Sequence, residues 1–229
     1  MPGSTRHDAG GTGARRGRAV DSAGGPAAAD PDTTRRRGEI AIAGRAGDEA
    51  LVRAALADAH GRVRVAALAA LVRMSRATTA DVATLLRDAD PTVRRDACEL
   101  APAVAGAPVV PLLDDADARV VEAAAFAAGE LGIADAVPAL ARIARAHGER
   151  LCRESAVAAL GAIGDVRGLP AVLEATHDAP AIRRRAVVAL AAFSGDEVDA
   201  SLRERLADRD WQVRQAAEDV LGISGEEPR

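Results

Sequence analysis

Residues 86–94 read Leu86-Arg87-Asp88-Ala89-Asp90-Pro91-Thr92-Val93-Arg94, and the chain returns to this pattern with Leu206-Ala207-Asp208-Arg209-Asp210-Trp211-Gln212-Val213-Arg214. In each copy an Asp precedes an Arg by six residues, and apolar residues at helical spacing follow. In the second copy the apolar residues are Val213, Ala217, Val220 and Leu221. The i, i+4, i+7, i+8 spacing places them on one face of a helix. The pattern therefore predicts a turn that leads into an amphipathic helix.

This unit recurs about every 30 residues along the chain. An apolar–Arg pair or a weaker version of it marks each copy, and its second member falls at 35, 64, 94, 121, 153, 183 and 214. Six residues before the last six marks lies a column of Asp58, Asp88, Asp115, His147, His177 and Asp208. A short amphipathic segment precedes each column residue, at roughly 49–57, 79–87, 107–113, 135–146, 168–176 and 198–207. Each unit is thus predicted to be a helical hairpin of helix A, a turn and helix B.

The composition agrees with a stack of closely packed helices. Of the 229 residues, 57 are Ala, whereas the chain has two Phe, one Trp and no Tyr. Ala has the lowest helix cost and lets helix axes approach each other. No segment shows the apolar–polar alternation of a half-buried strand. Since one hairpin cannot cover its own apolar face, we predict an all-α repeat protein in which neighbouring hairpins stack.

The two quoted stretches, each followed by a helix of small residues, resemble HEAT repeats, in particular the short bacterial phycobilisome-lyase-type HEAT-like repeats. The resemblance covers 26–222. It implies an armadillo-type, right-handed α-solenoid of about six to seven hairpins, with the B helices lining the concave face. Residues 1–25 are rich in Gly and Arg without apolar periodicity, and we predict a disordered leader there. It is either a solvated leader or a tail that contacts RNA or anionic lipid. We predict a flexible C-terminal tail at 223–229.

The recurring Asp and Arg are predicted to be structural. The Asp can cap the first amides of helix B, and the Arg can reach a carboxylate in its own or the neighbouring turn. A catalytic pair would be needed once, not in every unit. The predicted ladder consists of Asp58, Arg64, Asp88, Arg94, Asp115, Arg153, Arg183, Asp208 and Arg214.

The middle of the chain departs from this pattern. Val121 stands where Arg is expected, and His147 and His177 occupy the Asp column. Pro108 and Pro111 lack amide donors and should break or shorten the preceding helix A. These irregularities are either a binding notch or simple sequence drift.

Charge and cysteine content limit the classes of partner and compartment. The net charge is −4 and the pI about 5.6, which weighs against nucleic-acid binding. No apolar run of about 18 residues could span a membrane, and the first residues lack the apolar run of a secretory signal. Cys98 and Cys152 fall two units apart, too far for a disulfide. We therefore expect a cytoplasmic protein with free thiols.

No catalytic or metal motif is found, and we expect no enzyme activity, metal or cofactor. Deoxyhypusine-hydroxylase-type relatives of these repeats carry His-Glu pairs that hold two irons, but no His here precedes a Glu: His147 precedes Gly148 and His177 precedes Asp178. A bilin lyase would need a chromophore pocket, and the aromatic residues are limited to Phe126, Phe193 and Trp211. Trp211 opens the last helix B, where it either anchors a partner or covers the open end of the core.

The resemblance places a partner on the concave face of the B helices. The expected partner-binding residues are Arg95, Glu99, Glu122, Phe126, Glu154, Val157, Arg184, Val188 and Gln215. An apolar centre around Phe126 and Val157, with Glu122 and Glu154 beside it and Arg toward both ends, is typical of a protein or peptide groove. Alternatively, these apolar residues pack between neighbouring B helices.

We expect a monomeric, non-catalytic scaffold that binds a protein or peptide and neither nucleic acid nor membrane. A HEAT-like enzyme or chromophore lyase is the alternative. Nucleic-acid binding is a third possibility, but it requires a continuous Arg track, which Glu122 and Glu154 interrupt.

Overall fold

The computed structural model describes residues 30–223, and within that range it contains twelve α-helices and no β-strand. The predicted all-α class is therefore confirmed. The predicted leader at 1–25 and all but the first residue of the predicted tail at 223–229 lie outside the described residues. The helices are α1 (Pro31–Ala46), α2 (Glu49–Ala54), α3 (Gly61–Arg73), α4 (Thr79–Leu85), α5 (Pro91–Leu100), α6 (Ala118–Glu130), α7 (Val137–Ala146), α8 (Arg150–Ile163), α9 (Leu169–Ala175), α10 (Pro180–Leu190), α11 (Asp196–Arg205) and α12 (Trp211–Leu221).

These helices form a solenoid of hairpins, as the repeat period predicts. Helix α1 leads, and the hairpins α2–α3, α4–α5, α7–α8, α9–α10 and α11–α12 each pair a helix A with a helix B. In the remaining hairpin a single 3₁₀ turn, Val110–Asp114, takes the place of helix A before α6. Pro108 and Pro111 explain this difference, because the missing amides prevent a regular helix over 107–113. Each B helix contacts the B helix of the next hairpin.

The core runs along the stack and is built from small and branched side chains. Helix α6 shows this most clearly, because it buries eight residues, among them Val120, Val121 and five alanines. Buried apolar residues form one small cluster over α1–α3 and a larger one that extends from Leu68 to Ala217. Trp211 stays 64% exposed at the start of α12 and does not cover the end of the core.

The ladder arginines connect each turn to the next one. The Nε and Nη2 atoms of Arg64 donate to the two carboxylate oxygens of Asp88 at 2.7 and 2.8 Å, while its Nη1 donates to the carbonyl of Asp58 at 2.7 Å. Arg94 repeats this arrangement with Asp115 at 2.7 and 2.9 Å. One guanidinium therefore binds the turn of its own unit and the turn of the following unit.

The same bridge occurs between most other hairpins. Arg183 donates to Asp208 at 2.9 and 2.7 Å. In α1 the residue that donates to Asp58, at 2.7 Å, is Arg36 and not Arg35 at the predicted mark, which binds Glu39 and Asp32 within its own helix. The Arg183–Asp208 pair is nearly inaccessible to solvent, with 5% and 4% of the two side chains exposed. Arg214 belongs to the last hairpin, and among the described residues its side chain binds only the carbonyl of Asp208, at 2.7 Å.

The structure corrects two details of the predicted ladder. Where an Asp side chain caps helix B it is not the column Asp but the residue two positions later: Asp90 caps α5, Asp117 caps α6 and Asp210 caps α12. The column Asp88 instead accepts the amide of Asp90 at 3.0 Å. In the turn before α10, Asp178 and not His177 receives Arg153, at 3.0 Å. That turn is one residue shorter, since Arg183 donates to a carbonyl five residues back instead of six.

Val121 and His147, which depart from the repeat pattern, occupy the two positions of a single step of the ladder. Val121 is buried and offers no guanidinium to the next turn. In that turn the Nδ1 atom of His147 accepts the amide of Glu149 at 3.1 Å, which is the role of the column Asp elsewhere. Because a carboxylate at 147 would lack its arginine, an imidazole, which can accept the amide without a negative charge, avoids an unpaired carboxylate at this step. The ladder is interrupted between α6 and α8 by the loss of both partners.

Breaking the most buried bridge should destabilise the stack. Asp208→Ala leaves Arg183 without its carboxylate, and we expect the free energy of unfolding at pH 7 to fall by about 3 kcal/mol or more. Asp199→Ala is the matched control, because Asp199 pairs with Arg203 on an exposed surface and such pairs contribute less than about 1 kcal/mol. Urea unfolding followed by circular dichroism measures both variants.

The difference in unfolding free energy between the wild type and Asp208→Ala should depend on pH. The hydrogen bonds from Arg183 hold the pKa of Asp208 below its ordinary value. The stabilisation is therefore complete above about pH 4 and is lost as the pH falls through the lowered pKa. The wild type and Asp208→Ala should converge at acid pH, and a constant difference down to about pH 2 would contradict this origin.

Restoring an arginine at 121 and an aspartate at 147 should rebuild the missing bridge, so the effects of the two substitutions on stability should be coupled. Val121→Arg alone places an unpaired charge in a buried position and should destabilise the protein. Adding His147→Asp supplies the carboxylate, and we expect a favourable coupling energy of about 0.5–3 kcal/mol in a double-mutant cycle. The control combines Val121→Arg with His177→Asp, in a turn outside this step, and should show no coupling.

Candidate binding surface on the B helices

The B helices α6, α8 and α10 enclose an open groove of about 360 Å³. We call it the Phe126 groove, because Phe126 is 51% exposed at its edge. Its lining comes from three consecutive hairpins and comprises Glu122, Phe126, Gly129, Glu130, Leu151, Glu154, Ser155, Ala158, Ala159, Ala162 and Arg185. The groove continues along α10, where Val188 and Ala192 line its extension.

The floor of the Phe126 groove is made of small residues because the helices approach closely. A Cβ atom on Gly129 would lie 2.9 Å from the Cα of Ala159, and one on Gly161 would lie 2.8 Å from the Cα of Ala189. Both glycines therefore permit contacts between B helices that any larger residue would prevent. With Ala158 and Ala162 beside them, they leave an apolar floor on which a ligand side chain can lie.

Carboxylates surround this apolar floor. Glu122 and Glu130 form no ion pair among the residues that the structure describes, whereas Glu154 lies 3.6 Å from the Nη2 of Arg185. An aromatic ring with carboxylates around it can receive an apolar side chain together with a cationic group.

The structure brings several predicted partner residues together and separates others. Glu122, Phe126 and Glu154 line the Phe126 groove, and Val188 lines its extension. Arg184 is exposed but lines neither, and Arg185 takes its place. Three of the remaining four lie elsewhere on the surface: Arg95 in a groove between α1, α3 and α5, Glu99 3.4 Å from Arg95, and Gln215 bonded to Asp219.

The assignment of Val157 to this surface is wrong. Val157 is fully buried in the core, as are Leu68 and Val187 at the equivalent positions four residues after the ladder mark. At about 100° per residue, the first and fifth residues after the mark share a face, while the fourth turns toward the core. Phe126, Ala158 and Val188 are the fifth residues, and all three line the groove or its extension.

Eight of the eleven groove residues were not predicted: the small residues Gly129, Ala158, Ala159 and Ala162 of the floor, and Glu130, Leu151, Ser155 and Arg185. The signal for them was present, because on α8 the lining residues 151, 154, 155, 158 and 162 follow helical spacing. These residues follow from tracing this face over the whole length of each B helix.

Neither cysteine is a reactive group. Burial raises the pKa of Cys98 to about 12 and that of Cys152 to about 11. Both thiols therefore stay protonated at neutral pH and fill space in the core. The described residues also contain no group of three or more His, Cys, Asp or Glu arranged to hold a metal ion. In the same part of the chain, no helix combines the length and apolar character that crossing a bilayer requires.

The comparisons with known proteins identify repeats of this kind. The family profile described as HEAT repeats matches residues 106–180. An Escherichia coli protein, YibA, is 18% identical with a TM-score of 0.63, covering 86% of this chain and 83% of that one. No curated protein matches the sequence.

Engineered proteins share the fold as well. One is 20% identical with a TM-score of 0.58 and covers 76% of this chain and 97% of its own. A computationally designed armadillo repeat protein for modular peptide recognition is 17% identical with a TM-score of 0.54, over 83% of this chain and 99% of its own. At these identities the likeness establishes the solenoid fold.

The close approach of the B helices can be tested at its glycines. In Gly161→Ala the added Cβ would lie 2.6 Å from the Cβ of Ala189, and we expect a loss of about 1–3 kcal/mol in unfolding free energy. Gly38→Ala in α1 is the control, because among the described residues no atom beyond its neighbours and its own helix backbone lies within 4 Å of its Cβ position, and helix propensity should raise stability by up to about 1 kcal/mol. If both substitutions stabilise the protein in thermal unfolding, α8 and α10 do not pack as closely as the contact between Gly161 and Ala189 requires.

Proposed function

We propose that this protein is a non-catalytic scaffold that binds a protein or peptide segment on the B-helix face, with the Phe126 groove at its centre. The observation that carries the proposal is a half-exposed aromatic ring beside a glycine- and alanine-floored groove that three hairpins build together. Exposed aromatic residues at the centre of a contact surface are frequent binding anchors. We expect the scaffold to act as a cytoplasmic monomer.

The character of the groove supports binding rather than catalysis. Its polar side chains are three carboxylates, one guanidinium and the hydroxyl of Ser155, and no imidazole or thiol is among the lining residues. The Ser155 hydroxyl would need an adjacent base to become a nucleophile, and the lining offers no imidazole for that role. The ladder aspartates, which carry lowered pKa values, are engaged with arginines between the turns. Their shifts are thus explained by structural ion pairs.

The shared fold is compatible with this role. Designed armadillo repeat proteins made for modular peptide recognition use the same stacking of helical hairpins. We further propose that the repeats are of the short phycobilisome-lyase-type HEAT-like kind, on the basis of their period and turn sequence. Within that subtype, we propose a binding role for this chain and not chromophore attachment.

The proposal is tested with a fluorescein-labelled peptide that contains Leu-Arg-Leu-Arg, which offers apolar side chains to the floor and guanidinium groups to the glutamates. We expect Phe126→Ala to weaken its binding about tenfold or more. Trp211→Ala is the matched control, because Trp211 is also an exposed aromatic residue but lines no part of the groove. Fluorescence anisotropy at physiological salt gives both affinities.

Equal binding by the wild type and Phe126→Ala would contradict the assignment of the groove. Both substitutions alter exposed side chains, so they should change stability by less than about 0.5 kcal/mol. A loss of affinity can therefore be attributed to the contact itself.

A further inference from the structure

A second groove, of about 540 Å³, lies on the B helices α1, α3 and α5 and is lined by four arginines. We call it the arginine groove; the four are Arg37, Arg62, Arg73 and Arg95. Between them lie apolar or small residues, and Asp96 is the one acidic residue in the lining. A cleft lined by one sign of charge concentrates ligands of the opposite sign.

These arginines differ from most others in the chain. Within residues 30–223, the side chains of Arg37, Arg62 and Arg73 form no hydrogen bond or ion pair, and all three are exposed. Arg95 pairs with Asp96 and Glu99. The ladder arginines, by contrast, are fully engaged by carboxylates and carbonyls. Three unpaired guanidinium groups in one groove fit an anionic partner.

The two grooves lie on the same face of the stack. Arg62 and Leu151 both precede their ladder mark by two residues, and Arg73 and Glu130 both follow theirs by nine. Arg95 in one groove corresponds in the same way to Glu122 and Glu154 in the other. The same helical positions thus carry arginine in the N-terminal half of the face and apolar or acidic residues in the next half.

The distance between the grooves sets the length of a common ligand. The middle helices, α3 and α8, are three B-helix steps apart, and packed helices lie about 8–10 Å from each other, so the centres are about 24–30 Å apart. An extended chain spans about 3.3 Å per residue, and about eight residues cover this distance.

We propose that both grooves bind one extended segment of a partner protein, which is acidic over the arginine groove and apolar and basic over the Phe126 groove, with the two parts about eight residues apart. This inference rests on the proposed function and specifies its ligand. A nucleic acid fits less well, because its uniform phosphate charge would meet Glu122, Glu130 and Glu154 along the same face.

The test uses three labelled peptides: a run of Glu, the block Leu-Arg-Leu-Arg, and both joined by a Gly/Ser spacer that places their centres about eight residues apart, in either order. We expect the joined peptide to bind at least about tenfold more tightly than either block, because the second contact becomes intramolecular. Arg62→Glu/Arg73→Glu should abolish this gain and leave binding of the Leu-Arg block unchanged.

The matched control is Arg87→Glu/Arg209→Glu, which changes the net charge equally at exposed residues outside both grooves. It should preserve the gain. Equal loss in both double variants would reveal non-specific attraction and overturn the inference. Tighter binding of duplex DNA than of the joined peptide at physiological salt, dependent on Arg62 and Arg73, would also overturn it.

The outcomes separate this inference from the proposed function. If the Leu-Arg block binds in a Phe126-dependent way but the acidic run adds nothing, the inference is wrong and the proposed function stands. If no peptide binds, both are wrong.

Discussion

Within the described residues, a guanidinium bridges successive turns at every step of the stack except the one between α6 and α8, and these bridges help to set the spacing of the stack. Arg64 binds a carbonyl of its own turn and both carboxylate oxygens of Asp88 in the next turn. The distance between those turns is therefore defined by the rigid fork of a planar group. Because each B helix begins at such a turn, the bridge also fixes how neighbouring B helices meet. The shape of the B-helix surface therefore depends on how these bridges align neighbouring hairpins.

The interrupted step lies next to the Phe126 groove. Between α6 and α8 the bridge is absent, with Val121 and His147 at its two positions. Here Gly129 allows the backbone of α6 to approach Ala159, and small-residue packing holds the two helices together. The same close approach leaves a floor without large side chains and makes room for the groove beside Phe126. The interrupted step and the candidate site therefore lie side by side in the stack.

Opposite charges occupy equivalent positions along the B-helix face. The repeat fixes where these positions point, and the residue at each position is free to vary without disturbing the core. In the first hairpins these positions carry arginines, three of which have no side-chain partner within residues 30–223, and farther along they carry glutamates and Phe126. A face of this kind can read the order of charges on an extended ligand, which a uniformly charged face cannot.

The helices, the hairpin period and the effect of Pro108 and Pro111 could all be read from the sequence, because they depend on local spacing and on missing amides. Glu122, Phe126 and Glu154 could also be grouped, since the repeat places them in register. What the sequence left open was the direction of each side chain on helix B. Val157 and Ala158 point about 100° apart on α8. Only the packing of the neighbouring helices decides that Val157 faces the core and Ala158 the groove. The pairing of Val121 with His147, and the choice of Asp178 over His177, likewise required the contacts between turns that are about 25 residues apart.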